Sequence, residues 1–204
     1  MIGQLVLENC LKNEQVKSIT SITRKPIGLK HPKLIEVIHP DFLDFSSIKN
    51  QFKNQDIAFY CLGVYTGQVP TEQFKQITVD FTRSFATTLK QQSPEARFCF
   101  LSGAGADSSE QSRILFAKQK GIAENLLLKT NFKSTHIFRP GYIYPVKPRL
   151  EPNFSYRIFR KLYKPLSFVY PNIGLTSVQL ADKIFQVGIS GSGQTVFENQ
   201  DISA

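Results

Sequence analysis

The chain has 204 residues, of which 41% are hydrophobic, 12% aromatic and 20% charged. That length suits one compact domain burying roughly 70% of its unfolded surface, without metals or disulfides to hold it, and the apolar content excludes a disordered chain. Twenty-five Lys and Arg against sixteen Asp and Glu leave a net charge of +9, which favours acidic partners such as phosphates and says nothing about fold.

Ile2, Leu5, Val6 and Cys10 recur at helical spacing and predict an amphipathic helix over about 2–12. Residues 16–23 (VKSITSIT) and 34–38 (LIEVI) are β-branched and strand-like, the first closed by Arg24-Lys25-Pro26. A short helix is expected over 46–52. Asp56 precedes the apolar run 57–62, closed by Gly63, which reads as a strand buried on both faces. Thr71-Glu72 opens a helix with the stripe Phe74, Ile77, Phe81, Phe85 and Leu89.

Residues 97–101 (RFCFL) form another buried strand, ended by Ser102-Gly103-Ala104-Gly105. A helix over about 112–129 carries Ile114, Ala117, Leu127 and Leu128, and residues 135–138 (THIF) are the next strand, cut by Pro140-Gly141. Residues 145–175 are rich in proline, aromatic rings and positive charge and lack periodicity. Thr176-Ser177 caps a helix, and 195–197 is a last strand. Strands alternating with helices predict a doubly wound, mostly parallel α/β sheet.

Some chemistries have little support. Cys10, Cys61 and Cys99 share no metal-type spacing; Cys61 and Cys99 lie in apolar runs that suit buried reduced thiols, and a reducing cytoplasm is expected. His31, His39 and His136 lack ligand spacing, so no metal site is expected. No run reaches the roughly 18 apolar residues of a membrane span, and the segment around Glu8 lacks the basic start of a secretory signal. Residues 188–192 (GISGS) fail a nucleophile elbow at their last position. The basic, aromatic stretch 149–170 is expected as a helix with a cationic face, and nothing selects a specific nucleic acid.

In doubly wound sheets, ligands bind beyond the carboxyl ends of the strands. The segments found there, FRPGYIYP at 138–145, LSGAGAD at 101–107 with KGIAEN at 120–125, and DIAFYCLG at 56–63, together resemble the short-chain dehydrogenase/reductase superfamily, in its extended or atypical branch with NmrA-like and epimerase-like members. The resemblance covers nearly the whole chain and implies a single NAD(P)-binding Rossmann-like domain over 1–204, with a small substrate side at about 145–175.

Residue by residue, it implies that Arg24 and Lys25 stand where NAD-specific members carry an acidic residue for the ribose hydroxyls. Two cations there suit a 2′-phosphate, so NADP is expected over NAD. Asp41 and Phe42 would meet adenine. Leu62, Gly63 and Val64 would lie along ribose and pyrophosphate, and Pro140, Gly141, Tyr142 and Ile143 would border the nicotinamide. Lys120 matches the lysine on the nicotinamide ribose, and Ser102 lies near the family's catalytic Ser or Thr. A dinucleotide, an unidentified small molecule and a second subunit in a homodimer are the expected partners.

Two departures stand out. Four residues before Lys120, where the family carries its proton-transferring tyrosine, this chain has Phe116. Either Tyr142 or Tyr65 moves the proton, or the protein binds nucleotide without ordinary carbonyl reduction, as a regulatory or interaction protein. A third expectation is a basic adaptor with a vestigial cofactor site. A gain of carbonyl reduction in Phe116→Tyr is the expected discriminator. The second departure is that Gly3 matches the last glycine of the family's Gly-x-x-Gly-x-x-Gly turn, while the first strand and two glycines have no counterpart. That loop cradles pyrophosphate, and its strand would lie centrally in the sheet. The expectation is an N-terminal truncation by one strand, NADP binding that is weak or absent, and a gain in binding and melting temperature on adding roughly ten upstream residues.

Overall fold

The apolar runs that end in glycine or a Pro-Gly pair become parallel strands. The computed structural model describes residues 1–146 and 174–203. Helix α1 is Ile2–Lys12, followed by β1 at Ile19–Thr23, β2 at Leu34–Ile38 and a short 3-10 helix at Ser46–Phe52. Strand β3 (Ile57–Tyr60) leads to α2 (Thr71–Lys75), a π-turn over Gln76–Asp80 and α3 (Phe81–Gln92). Then come β4 (Arg97–Leu101), α4 (Leu115–Lys129), β5 (Ser134–Arg139), β6 (Tyr142–Tyr144), β7 (Gly174–Thr176), α5 (Ser177–Ser190), β8 (Val196–Glu198) and α6 (Asn199–Ser203).

Strands β3, β4, β5 and β8 form one parallel sheet in that order. Its side chains alternate between two cores, as period-2 geometry demands. Ala58, Tyr60, Phe98, Phe100 and Ile137 pack with Phe45, Phe52, Leu89 and Leu127 on one face. Cys99, Phe138 and Phe197 pack with Ile2, Val6, Cys10, Leu180 and Ile184 on the other. Helices therefore cover both faces, which explains the nearly continuous apolar strands.

Strands β1 and β2 pair in parallel as a separate two-stranded piece. Ile19 of β1 joins the α1 core and Ile22 joins the opposite one, so β1 feeds the same two layers as β3. Yet among the described residues β1 bonds only to β2, and β3 only to β4. Among the described residues the sheet is interrupted between β1 and β3, where the resemblance leads one to expect a further strand.

Several expectations shift. The helix expected from about 112 begins at Leu115, because Asp107 has drawn the backbone N–H groups of Ser109, Gln111 and Ser112 around its carboxylate. Ile114 and Leu128, assigned to that helix's apolar stripe, are on the surface, 68% and 45% exposed. The strand expected over 16–23 begins at Ile19, since Val16 N closes a turn onto Asn13 O. Thr176 caps α5 as expected, in a reciprocal box with Gln179. The pair β6–β7 and helix α6 are too short for periodicity to announce. The stretch 149–170 lies outside the described residues, as does most of the expected substrate side.

Candidate functional site

Every expected site residue falls in or just after a parallel strand, apart from Gly3 in the first turn of α1 and Lys120 within α4. The carboxyl ends of β3, β4 and β5 bring one group together. A Cβ on Gly3 would stand 3.3 Å from Cys61 Cβ, so α1 begins close against the end of β3, beside Leu62 and Gly63. A Cβ on Gly63 would meet nothing within 4 Å, leaving open space over that backbone. Ser102 N donates to Phe138 O at 2.8 Å, and Ala104 N to Pro140 O at 2.9 Å. These bonds align the Ser-Gly-Ala and Arg-Pro-Gly turns. Gly141 N is held by Asn199 Oδ1 at 2.8 Å, ahead of Tyr142 and Ile143 in β6.

Behind these turns lies a buried polar cluster. Ser102 Oγ donates to Glu124 Oε1. Arg139 grips the same carboxylate twice, Nε to Oε1 at 3.1 Å and an Nη to Oε2 at 2.5 Å. The guanidinium also reaches Glu198 at 2.9 Å and Ser108 Oγ at 3.0 Å. Glu124 is 1% exposed and held by this fork, the arrangement in which Arg is strongest. Burial of the acid follows from spacing: Lys120 and Glu124 are four apart on one face of α4, which lies on the strand ends.

Lys120 is buried, donates from Nζ to Leu101 O at 3.2 Å and stands 5.0 Å above the Phe100 ring. Burial pulls its ammonium down from 10.5 to about 8, against the opposing charges of Glu124 and Cys61. In the pH window between about 8 and 10.5 the unfolded lysine holds a proton that the folded one has released, so this group's contribution to stability rises with pH there. Below about 8 both states are protonated and the desolvation penalty is complete. The stability of wild type relative to Lys120→Met, from denaturant titrations, is therefore expected to climb through that window. A difference that stays flat contradicts the assignment. Burial also pushes the Cys61 thiol up to about 12 and Cys10 to about 11, so neither is an activated nucleophile.

Phe116 is the decisive neighbour. Its Cζ stands 2.6 Å from where a Cβ on Gly103 would be, while the two Cε carbons are 3.4 and 3.6 Å away. The para axis of the ring thus points at the Gly103 backbone. A tyrosine hydroxyl on that axis would drive into Gly103.

The second group lies at the ends of β1 and β2. Arg24, Lys25 and Asp41 are exposed. Phe42, expected against adenine, is instead 6% exposed with its ring 5.5 Å from Phe45 and 5.8 Å from Phe81. It shares one apolar cluster with Leu62 and Ile22, which ties this group to the first across the interruption. Val64 and Tyr65 are part-buried in the loop after β3. Glu124, Arg139 and Glu198 received no role from sequence. The signal was present in a lone acid four residues after Lys120 and a lone arginine ending an apolar strand.

Parallel strands wound on both faces by helices define a Rossmann-like α/β fold, and the chain shares that fold with solved NAD-bound enzymes and nucleotide-sugar epimerases. No family model matches it. Protein FMP52, mitochondrial, of Candida albicans is 29% identical over 146 residues, which are 69% of this chain and 62% of that protein. The match thus spans under two thirds of that relative's length. The Bordetella bronchiseptica enzyme WbmH, solved in complex with NAD+, aligns with a TM-score of 0.68 at 14% identity, over 97% of this chain and 71% of its own. A UDP-N-acetylglucosamine 4-epimerase from Methanobrevibacter ruminantium, solved with UDP-N-acetylmuramic acid, gives 0.69 at 14% identity over 97% and 72%.

Proposed function

We propose that this chain is a dinucleotide-binding protein of short-chain dehydrogenase/reductase type that prefers NADP(H) and lacks the tyrosine proton transfer of ordinary carbonyl reduction. The observation that carries the reading is the convergence of Gly3, Gly63, Ser102, Lys120 and Pro140 at three strand ends, with Phe116 turned onto Gly103. The residues fit a nicotinamide dinucleotide. Arg24 and Lys25 would take the 2′-phosphate, the first turn of α1 the pyrophosphate, and Lys120 a ribose hydroxyl. Open backbone at Gly63 leaves room for the group between them. The NAD+ bound to the fold neighbour WbmH supports a dinucleotide as the class of ligand; the two cations favour the phosphorylated form. When bound, the cofactor supplies hydride chemistry. The chain's own part is to hold the ribose at Lys120 and to keep Ser102 oriented by Glu124.

The small molecule beside the nicotinamide is unidentified, with nucleotide sugars suggested by the epimerase neighbours. A homodimer and a reducing compartment such as the cytoplasm complete the proposal, the latter because all three cysteines are free thiols; the Candida relative's name places that protein in mitochondria. Phe116→Tyr is expected to gain no NADPH-dependent carbonyl reduction and to melt several degrees lower, since overpacking costs about 1–3 kcal/mol. Reduction of a panel of aldehydes and ketones by this variant, with an unchanged melting temperature, contradicts the packing of Phe116 against Gly103 and marks the wild type as lacking only the tyrosine. Turnover by the wild type that Tyr142→Phe abolishes would favour the enzymatic alternative, in which the buried Tyr142 hydroxyl moves the proton.

A further inference from the structure

Strand β2 bonds to β1 on one side, and among the described residues no strand pairs with its other side. Ile19 N bonds to Lys33 O at 2.7 Å and His39 N to Thr23 O at 2.8 Å. Alternate residues of a strand turn their backbone groups the same way, so Ile35 and Val37 face β1 while Glu36 and Ile38 face outward. Leu34 N is taken by His31 O at 2.9 Å. The backbone groups of Glu36 and Ile38 meet no partner among the described residues.

The outer edge of the four-stranded sheet is built differently. There Val196 O accepts from Gln194 Nε2 and Glu198 N donates to Asp201 Oδ2, each at 2.8 Å, so side chains blunt β8. Strand β2 has no such cap and contains no lysine or proline, the usual protections of a free edge. It also shows apolar surface, with Ile35 51% and Ile38 53% exposed.

Charge selects the occupant. The segment entering β2 carries Lys30 and Lys33, and the segment leaving it carries Asp41 and Asp44. None of the four is in an ion pair among the described residues. Lys33 donates to Asn13 O, and the two carboxylates accept the neutral N–H groups of Leu43 and Ser46. A second copy running antiparallel sets each cationic end against an acidic one. A twofold axis at Glu36 would put that carboxylate directly opposite its copy, which is unfavourable. An axis at Val37 sets Glu36 against Ile38 and Lys33 against Asp41. Glu36 N then donates to Ile38 O, and Ile38 N to Glu36 O, on each side of the axis.

We propose that β2 is where two copies of this chain meet, antiparallel about a twofold axis at Val37. The inference rests on the homodimer of the reading above and not on its nucleotide. Such pairing is self-complementary and closed. A strand of five residues buries little area, so the dimer is weak and reversible.

The test combines sedimentation with amide hydrogen exchange over a range of chain concentrations. A monomer–dimer equilibrium is expected in wild type. Exchange at the Glu36 and Ile38 amides slows as the dimer fills, while the Ile35 and Val37 amides stay slow throughout. Ile38→Glu meets Glu36 of the copy and is expected to weaken the dimer about tenfold or more relative to Ile38→Lys, whose charge meets the same carboxylate favourably. Val37→Cys is expected to cross-link to its copy under diamide, at a separation that suits a disulfide. A dimer with unchanged exchange at Glu36 and Ile38 overturns the edge contact and leaves the homodimer; a wild type that stays monomeric overturns both. Equal weakening by Ile38→Glu and Ile38→Lys, or cross-linking through Glu36→Cys in place of Val37→Cys, overturns the axis at Val37. Protection of the two amides only on adding phosphatidylserine vesicles to a monomeric chain also overturns the proposal, and makes this edge a lipid contact.

Discussion

Glu124→Ala is expected to lower the melting temperature by roughly 6–20 °C, or to leave the protein unfolded at expression temperature. The carboxylate is 1% exposed and accepts from Ser102 Oγ and from two nitrogens of Arg139. Deleting it leaves a guanidinium whose side chain is 15% exposed with Glu198 and Ser108 as its remaining partners, and breaking a buried pair from one side costs about 3–5 kcal/mol. Glu124→Gln keeps the volume and one acceptor and should fall between wild type and alanine. The outer acid provides the contrast: the Glu198 side chain is 46% exposed, so Glu198→Gln should cost about 1 kcal/mol or less. Equal losses for Glu198→Gln and Glu124→Ala in thermal unfolding would show that the cluster is not organised around the buried carboxylate.

Gly121→Ala is expected to be nearly as damaging, for a steric reason. A Cβ there would stand 1.8 Å from Asp107 O and 2.5 Å from Asp107 C. These are backbone atoms that cannot swing aside. Asp107 N is bonded to Ala117 O at 3.0 Å, and its carboxylate gathers Ser109, Gln111 and Ser112. The whole turn from Ser102 to Ile114 must therefore lift off α4, at about 1–3 kcal/mol or more. Because Ser102 and Lys120 sit at either side of this contact, nucleotide affinity should fall as well. Gly63→Ala is the matched control, with nothing within 4 Å of its Cβ, and its stability should equal wild type. An alanine at 121 that melts with the wild type contradicts this packing.

The fold was legible because burial on both faces leaves an unambiguous mark. Residues 57–62 and 97–101 carry no polar alternation, which only a sheet covered by helices on both sides explains. The Thr71 helix was legible from its stripe, and Thr176 from its capping chemistry. The start of α4 was not, because the Asp107 turn is a local hydrogen-bond solution that competes with helix. Ile114 read as core for the same reason: periodicity was extended past a boundary that Asp107 sets.

At the site, position relative to strand ends located the glycines, Ser102 and Lys120, while side-chain direction stayed hidden. Phe42 falls where a ligand contact is expected, yet its ring turns into the cluster with Phe45 and Phe81. The Glu124–Arg139 fork joins a helix to a strand across 15 positions of chain, a pairing that no local spacing announces. Phe116 was singled out in the sequence because the resemblance leads one to expect a tyrosine there. That its ring is sealed against Gly103 required coordinates.

The most direct test of the central claim is a nucleotide titration followed by NMR, carried to millimolar NADPH and NADH, on wild type, on Gly63→Val and on the double variant Arg24→Ser with Lys25→Ser. The account predicts weak binding that favours NADPH, a loss of that preference when the two cations are removed, and a loss of both nucleotides when a branched side chain fills the open space over Gly63. Binding that is indifferent to Gly63→Val, or that favours NADH in the wild type, would contradict it.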